Sequence, residues 1–178
     1  MKERIYSQLF SYPTKFPGDE ECLAIELSPP SCELLQLQNE YVKIFINDVP
    51  TVTSPPYSSY YLEGSYCGVI SSEIKKLYLR YGFTIEEELP DHLAVELEFL
   101  TYLLHTHASI EEDKESEAIE AIEEDIQKMI THLQTWVPLM VKSIEKHHPK
   151  SFYCELAKAF LQYLTPNTSQ IFKRDIGV

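Results

Sequence analysis

Residues Glu115 to Leu133 read ESEAIEAIEEDIQKMITHL, and the apolar positions in this stretch decide the fold class. Ile119, Ile122, Ile126, Met129, Ile130 and Leu133 recur three and four residues apart. That spacing gathers them on one face of an α-helix and leaves the acids opposite. A half-buried strand would need period two, and no stretch of the chain sustains period-two alternation between hairpin turns.

Working outward, proline and glycine cut the rest of the chain into further helical blocks. Downstream, Trp136-Val137-Pro138 starts a helix to about Lys146, and Pro149 breaks it. Ser151 can cap the next helix, whose buried face is Phe152, Leu156, Ala159, Phe160, Tyr163 and Leu164. Pro166 closes the fold, and residues 166–178 read as a loosely held tail. Upstream, Glu111-Glu112-Asp113 marks a solvated loop. Before it, Leu93, Leu97, Leu100 and Leu104 repeat at helical spacing behind Glu86-Glu87-Glu88-Leu89-Pro90, with Asp91 as N-cap. Ile70 to Tyr81 is a helix with Gly82 at its C′ position. Ser31 can cap a helix to about Asn47, with Leu34, Leu35, Tyr41, Val42 and Phe45 in period. Glu20 to Leu27 and Met1 to Tyr12 complete the set.

Between Asp48 and Tyr66 the pattern changes. Pro50, Pro55, Pro56 and Gly64 forbid a regular helix there, while Tyr57, Tyr60, Tyr61 and Tyr66 crowd the same region. A loop so rich in aromatics packs as a structural corner or presents a recognition surface. The expectation for residues 1–178 is a single all-α domain, a bundle of roughly seven to nine helices.

Composition excludes several function classes. With 178 residues, 44% hydrophobic and 24% charged, the chain can bury a core without staples. Its 28 acidic against 15 basic residues give −13, a field that repels nucleic-acid phosphates and anionic lipid and favours cationic partners. Glu-rich faces also serve solubility. No apolar run is long enough for stable membrane insertion, and the amino terminus has no secretory core. Cys22, Cys32, Cys67 and Cys154 are scattered without a Cys-x-x-Cys pair, so reduced thiols in the cytoplasm are expected. The skew to 12 Tyr and 8 Phe against 1 Trp suits half-wet surfaces that hold another chain, and buried helix crossings equally well.

Enzymatic signatures are absent: no Gly-x-Ser-x-Gly, no phosphate loop, no His-Glu-x-x-His. His105 and His107 lie two apart and face apart on a helix, so both are expected at the surface, like His147 and His148. Asp91-His92 admits two readings. One is an N-cap with His92 in the first turn; the other is a groove lined by the pair with Glu96 and Glu98. A helical metal-dependent hydrolase using Asp91 and His92 is the alternative function, although no histidine precedes His92. No catalytic residue, metal or cofactor is expected.

The residues then spell out a family. Glu40-Tyr41-x-x-Ile44-Phe45, Pro55-Pro56-Tyr57-x-Ser59-Tyr60 and Tyr78-x-x-Tyr81-Gly82 resemble the TorD/DmsD/NarJ-type redox-enzyme maturation chaperones. The most specific match is Glu88-Leu89-Pro90-Asp91-His92-Leu93-x-x-Glu96-Leu97-Glu98-Phe99-Leu100, with Trp136 and Phe152-Tyr153-x-x-Leu156-Ala157 completing it. Ser58, where many members carry Glu, and Tyr60, where some carry Trp, depart from the pattern. The resemblance implies a cytoplasmic helical chaperone, monomer or dimer, without catalytic activity. It would bind the twin-arginine leader, or its vestige, of a molybdenum- or tungsten-cofactor oxidoreductase catalytic subunit precursor. It implies a peptide groove formed by Tyr57, Ser59, Tyr60, Asp91 and His92, with Asp91 facing a leader arginine, and the groove reading of the Asp91-His92 pair adds Glu96 to the expected peptide-binding set.

Overall fold

The helix that begins at Leu93 is apolar on nearly every face, and burial accounts for it. In the computed structural model, which describes residues 2–47, 51–85, 88–111 and 116–165, it spans Leu93–Glu111. Leu93, Leu97, Phe99 and Leu103 are fully buried there, with Leu100 and Leu104 close behind. A helix that is apolar all round must be enclosed by other elements. Around it lie α1 (Lys2–Phe10), α2 (Asp19–Ala24), α3 (Leu34–Tyr41) running into a π-turn (Val42–Ile46), α4 (Ser58–Glu63) and α5 (Val69–Arg80). After the central helix, α6, come α7 (Ser116–His147) and α8 (Phe152–Leu164). The described residues thus contain eight α-helices and no strand, the all-α architecture expected. The acidic lead-in Glu86-Glu87, the loop at Glu112-Asp113 and the segment 166–178 lie outside them.

One continuous apolar cluster joins α1, α3, α5, α6, α7 and α8. Trp136, Phe10, Phe99 and Phe160 are among its fully buried side chains. Each Phe or Trp so placed contributes about 1.5–3 kcal/mol from area removed from water, before entropy is counted. α1 is fixed to α6 by Ser7, whose hydroxyl donates to the Ala94 carbonyl at 2.8 Å.

Several local expectations are corrected. Ser31 is exposed and does not cap α3. Glu33 is the N-cap, and its N–H donates to Gln36 Oε1 at 3.2 Å. Leu35, expected inward, is 65% exposed, while Leu37, Tyr41, Ile44 and Phe45 are buried. The π-turn rotates only the side chains that follow Val42, so it bears on Ile44 and Phe45 and not on Leu35 or Leu37, which precede it. The proline-rich segment does hold a short helix: Pro55 and Pro56 precede α4, and Gly64 ends it at φ 70°. α7 does not stop near Leu133 and restart at Trp136; it is one helix of 32 residues with Pro138 inside it. Pro138 is exposed, as is Gln134, whose carbonyl loses its helical partner, so solvent can satisfy the gap while buried Trp136, Val137 and Met140 hold the helix in place. Asp125, expected on the solvated acidic face, is buried and accepts from Tyr81 at 2.8 Å, Arg80 at 3.0 Å and Lys128 at 3.1 Å. Although desolvation opposes its charge, these donors hold its carboxyl below the ordinary range. His107, expected at the surface, is buried and lies 3.2 Å from Glu123.

Candidate functional site

Two prolines set the geometry from which the site is built. Pro55-Pro56 extends the backbone and cannot donate hydrogen bonds, but the Pro56 carbonyl still accepts. It takes the Leu93 N–H at 2.8 Å, and the Ser58 N–H donates to the Asp91 carbonyl at 3.1 Å. Tyr57 and His92 therefore face each other in an isolated antiparallel bridge. The two segments singled out in the sequence are thus knitted backbone to backbone, although they lie more than thirty residues apart.

Asp91 is fully buried and does not cap α6. Its Oδ2 accepts the Ser59 N–H at 2.9 Å, so it caps α4 across the chain, while its Oδ1 has no hydrogen-bond partner. His92 takes the role expected of Asp91: its Nδ1 accepts the Ala94 N–H at 3.1 Å, and its carbonyl accepts from Glu96 at 3.0 Å. Burial pushes the His92 imidazole down, against the pull of Glu88 and Asp91. The neutral ring accepts at Nδ1 and so carries its proton on Nε2.

Glu96 is also fully buried and points away from solvent. Its carboxylate lies 3.0 Å from His132 Nε2 and accepts the Trp136 indole N–H at 3.2 Å. Burial raises the Glu96 pKa above its ordinary value, and His132 pulls it back in part. Nothing in the sequence singled out His132, because the pairing spans two helices whose packing alone brings it to Glu96.

On the solvent side of the bridge lies a cleft of about 330 Å³. Tyr12, Tyr41, Phe45 and Ile46 form its aromatic and apolar side, with Pro56, Tyr57, His92 and Val95 opposite and Glu88 and Glu98 also lining it. Tyr41 packs on Phe45 at 4.9 Å between centroids and edge-on to Tyr12 at 5.6 Å. Tyr57 lies edge-on to His92 at 5.1 Å, and its hydroxyl donates to Glu88 Oε1 at 2.8 Å. Burial and that carboxylate raise the Tyr57 hydroxyl pKa. Neither Glu88 nor Glu98 forms an ion pair among the described residues, and no Lys or Arg lines the cleft.

The six predicted residues therefore divide. Tyr57 and His92 line the cleft. Ser59, Asp91 and Glu96 lie buried behind it. Tyr60 does not line the cleft; it packs on Tyr61 and Tyr66, at 5.1 and 5.6 Å, and Tyr66 in turn lies edge-on to Tyr57 at 5.5 Å. Glu98, named in the sequence only as a companion of Glu96, is the exposed carboxylate of the pair. Tyr12, Tyr41, Phe45 and Ile46 were missed as a lining, because their spacing is that of ordinary core helices.

Comparison with known proteins gives consistent results. A family model described as nitrate reductase delta subunit matches residues 20–142. The chain is 26% identical over 152 residues to the chaperone protein TorD of Vibrio parahaemolyticus, covering 82% of this chain and 64% of that protein. It is 28% identical over 136 residues to the chlorate reductase assembly chaperone protein of Ideonella dechloratans, covering 74% and 69%. The matched region spans less than two thirds of the length of the TorD relatives, 60% in Vibrio cholerae. A crystal structure described as a redox enzyme maturation protein from Archaeoglobus fulgidus superposes with a TM-score of 0.60 at 29% identity, covering 92% of this chain and 93% of the other.

Proposed function

The chain belongs to the family described as nitrate reductase delta subunit, and from that premise we propose that it is a maturation chaperone, not a catalyst, for the catalytic subunit of a molybdenum- or tungsten-cofactor oxidoreductase. It acts in the cytoplasm as a single domain. It holds the client by an N-terminal leader, twin-arginine or vestigial, until the cofactor is inserted. This reading is supported by the cleft, where two carboxylates with no basic partner among the described residues line an aromatic concavity whose described lining holds no Lys or Arg.

A leader that joins guanidinium groups to apolar side chains matches both parts. Glu98 and Glu88 take the cations through charge-assisted hydrogen bonds. Tyr12, Tyr41 and Phe45 take the apolar side chains and can stack on an arginine plane. The neutral His92, with its proton on Nε2, is a donor for a backbone carbonyl of an extended segment. Asp91, Ser59 and Glu96 hold the two walls together from behind. The hydrolase reading loses ground on the same geometry, since Asp91 Oδ2 and His92 Nδ1 both accept backbone N–H groups.

The test is calorimetric titration with a synthetic peptide carrying two adjacent arginines followed by leucines. Glu98→Gln keeps the shape and removes the charge. It should weaken binding about ten- to a hundredfold, the worth of one charge-assisted hydrogen bond, with the melting temperature unchanged. Equal affinity for wild type and variant would remove Glu98 from the site, and no binding to either would remove the leader.

A further inference from the structure

We infer that the client segment continues past the cleft into a second groove between α1 and α6, where Arg4 and His105 take an acidic side chain of the client. This rests on the reading of the cleft given above, and it adds a charge order that the client must carry. The groove has a volume of about 420 Å³ and is lined by Arg4, Ser7, Gln8, Thr101 and His105, together with the aromatic rings of Phe83 and Tyr102. Ser11 and Glu98 line both this groove and the cleft, so the two share a border and one extended segment can occupy both.

What the groove offers a partner depends on which of its polar groups are already used. The Ser7 hydroxyl donates to the Ala94 carbonyl at 2.8 Å, and the Thr101 hydroxyl to the Leu97 carbonyl at 2.8 Å. The Tyr102 hydroxyl donates to the Tyr81 carbonyl at 3.1 Å. Arg4, Gln8 and His105 are exposed, and Arg4 and His105 form no ion pair among the described residues. A guanidinium, an amide and an imidazole therefore line the groove with donors unspent. A carboxylate is the group that such a set takes, and a guanidinium can meet it with two parallel N–H bonds. With 28 acidic against 15 basic residues the chain has acids enough to neutralise Arg4, yet Arg4 stands unpaired.

From the cleft outward the lining carries Glu88, then Glu98, then Arg4 with His105: two anionic stations followed by a cationic one. Seven residues separate Glu98 from His105 on α6, about 10 Å at 1.5 Å per residue. An extended segment covers that distance in about three residues at 3.3–3.6 Å each. The fitting partner thus carries an acid about three or four residues from the arginine held at Glu98. A segment with further cations at that position would meet Arg4 and be repelled, so the groove sorts basic segments that the cleft alone would accept.

The experiment titrates the full chain with variants of the arginine-arginine-leucine peptide. Each carries one glutamate, glutamine or lysine placed three or four residues before or after the arginines. At one of these positions the glutamate peptide should bind wild type about three- to fivefold more tightly than its glutamine counterpart at low salt, as for an exposed ion pair, with the advantage shrinking as salt is added. Arg4→Gln, its fold checked by circular dichroism, should bring that ratio to about one. Arg4→Lys should keep part of it, and Arg4→Glu should turn the preference to the lysine peptide. Glutamate and glutamine peptides that bind wild type equally at every position overturn the inference and leave the cleft reading intact. A glutamate advantage that survives Arg4→Gln also overturns it, because the acid then acts elsewhere. Failure of every peptide to bind wild type removes the leader reading, and this inference falls with it.

Discussion

Asp91 and His92 are neighbours in sequence and differ in what they face. His92 borders the cleft, whereas Asp91 is turned inward to hold the Ser59 N–H at 2.9 Å. Asp91→Ala leaves that buried donor without its acceptor, which costs about 1–3 kcal/mol. For a chain of this size each kcal/mol lowers Tm by about 2–4 °C. Thermal denaturation should show that loss for Asp91→Ala and none for Glu98→Gln, while peptide titration orders the two variants the other way at matched folded fractions. An Asp91→Ala protein that melts with wild type would mean that the cap contributes nothing. The motif named both residues, but their roles were not legible: which of two adjacent residues caps α6 depends on the bridge to Tyr57, formed by a distant segment.

At the scale of elements, the punctuation residues were read best where the effect is local. Gly82 was expected at C′ and sits there at φ 64°. Its N–H donates to the Leu79 carbonyl at 3.2 Å, and the Phe83 N–H donates to the Tyr78 carbonyl at 3.0 Å, which is a Schellman closure. A Cβ at Gly82 would meet nothing within 4 Å, so Gly82→Ala carries a purely conformational penalty of about 1 kcal/mol. Chemical denaturation should show the midpoint falling with an unchanged slope; an unchanged midpoint would remove the left-handed turn from the account. Pro138 was misread because a proline that would break an isolated helix is tolerated when tertiary packing clamps both sides of it. α4 was missed for the opposite reason. Six residues are too few to show a period, and an acceptor from Asp91 stabilises a turn that would be marginal alone.

For the whole molecule, the pair of buried Glu96 and half-buried His132 links stability to pH. Burial raises the Glu96 pKa above 4.5. For His132, burial opposes the cation, yet Glu96 beside it, with Asp91 adding, raises the imidazole above 6.5. Both shifts mean that the folded state binds protons more tightly than the unfolded one. The pair's contribution is complete below the unfolded values and is lost as pH rises through the folded ones. Glu96→Gln removes this linkage and leaves half-buried His132 without its carboxylate. The gap in Tm between wild type and Glu96→Gln should therefore narrow as pH rises from about 5 to about 8.5, the range in which imidazole titrates. A gap that stays constant across that range would show that the pair holds its proton throughout.

The sequence by itself determined the all-helical class, the buried face of α6 from Leu93 to Leu104, most of the inward face of α7, and the stop at Gly82. These follow from spacing and backbone conformation within a dozen residues, where the period of a helix is a local property. It also carried the motif that brings Tyr57 and His92 to one place. Only the tertiary structure decided that Asp91 and Glu96 lie behind the cleft while Glu88 and Glu98 line it. Only packing joined Glu96 to His132 across 36 residues, and Tyr12, Tyr41 and Phe45 to the cleft, to which the motif around Tyr41 and Phe45 had not been assigned. The physical reason is that exposure is set by what covers a side chain. For these residues the covering groups come from other helices, whose approach no local pattern encodes.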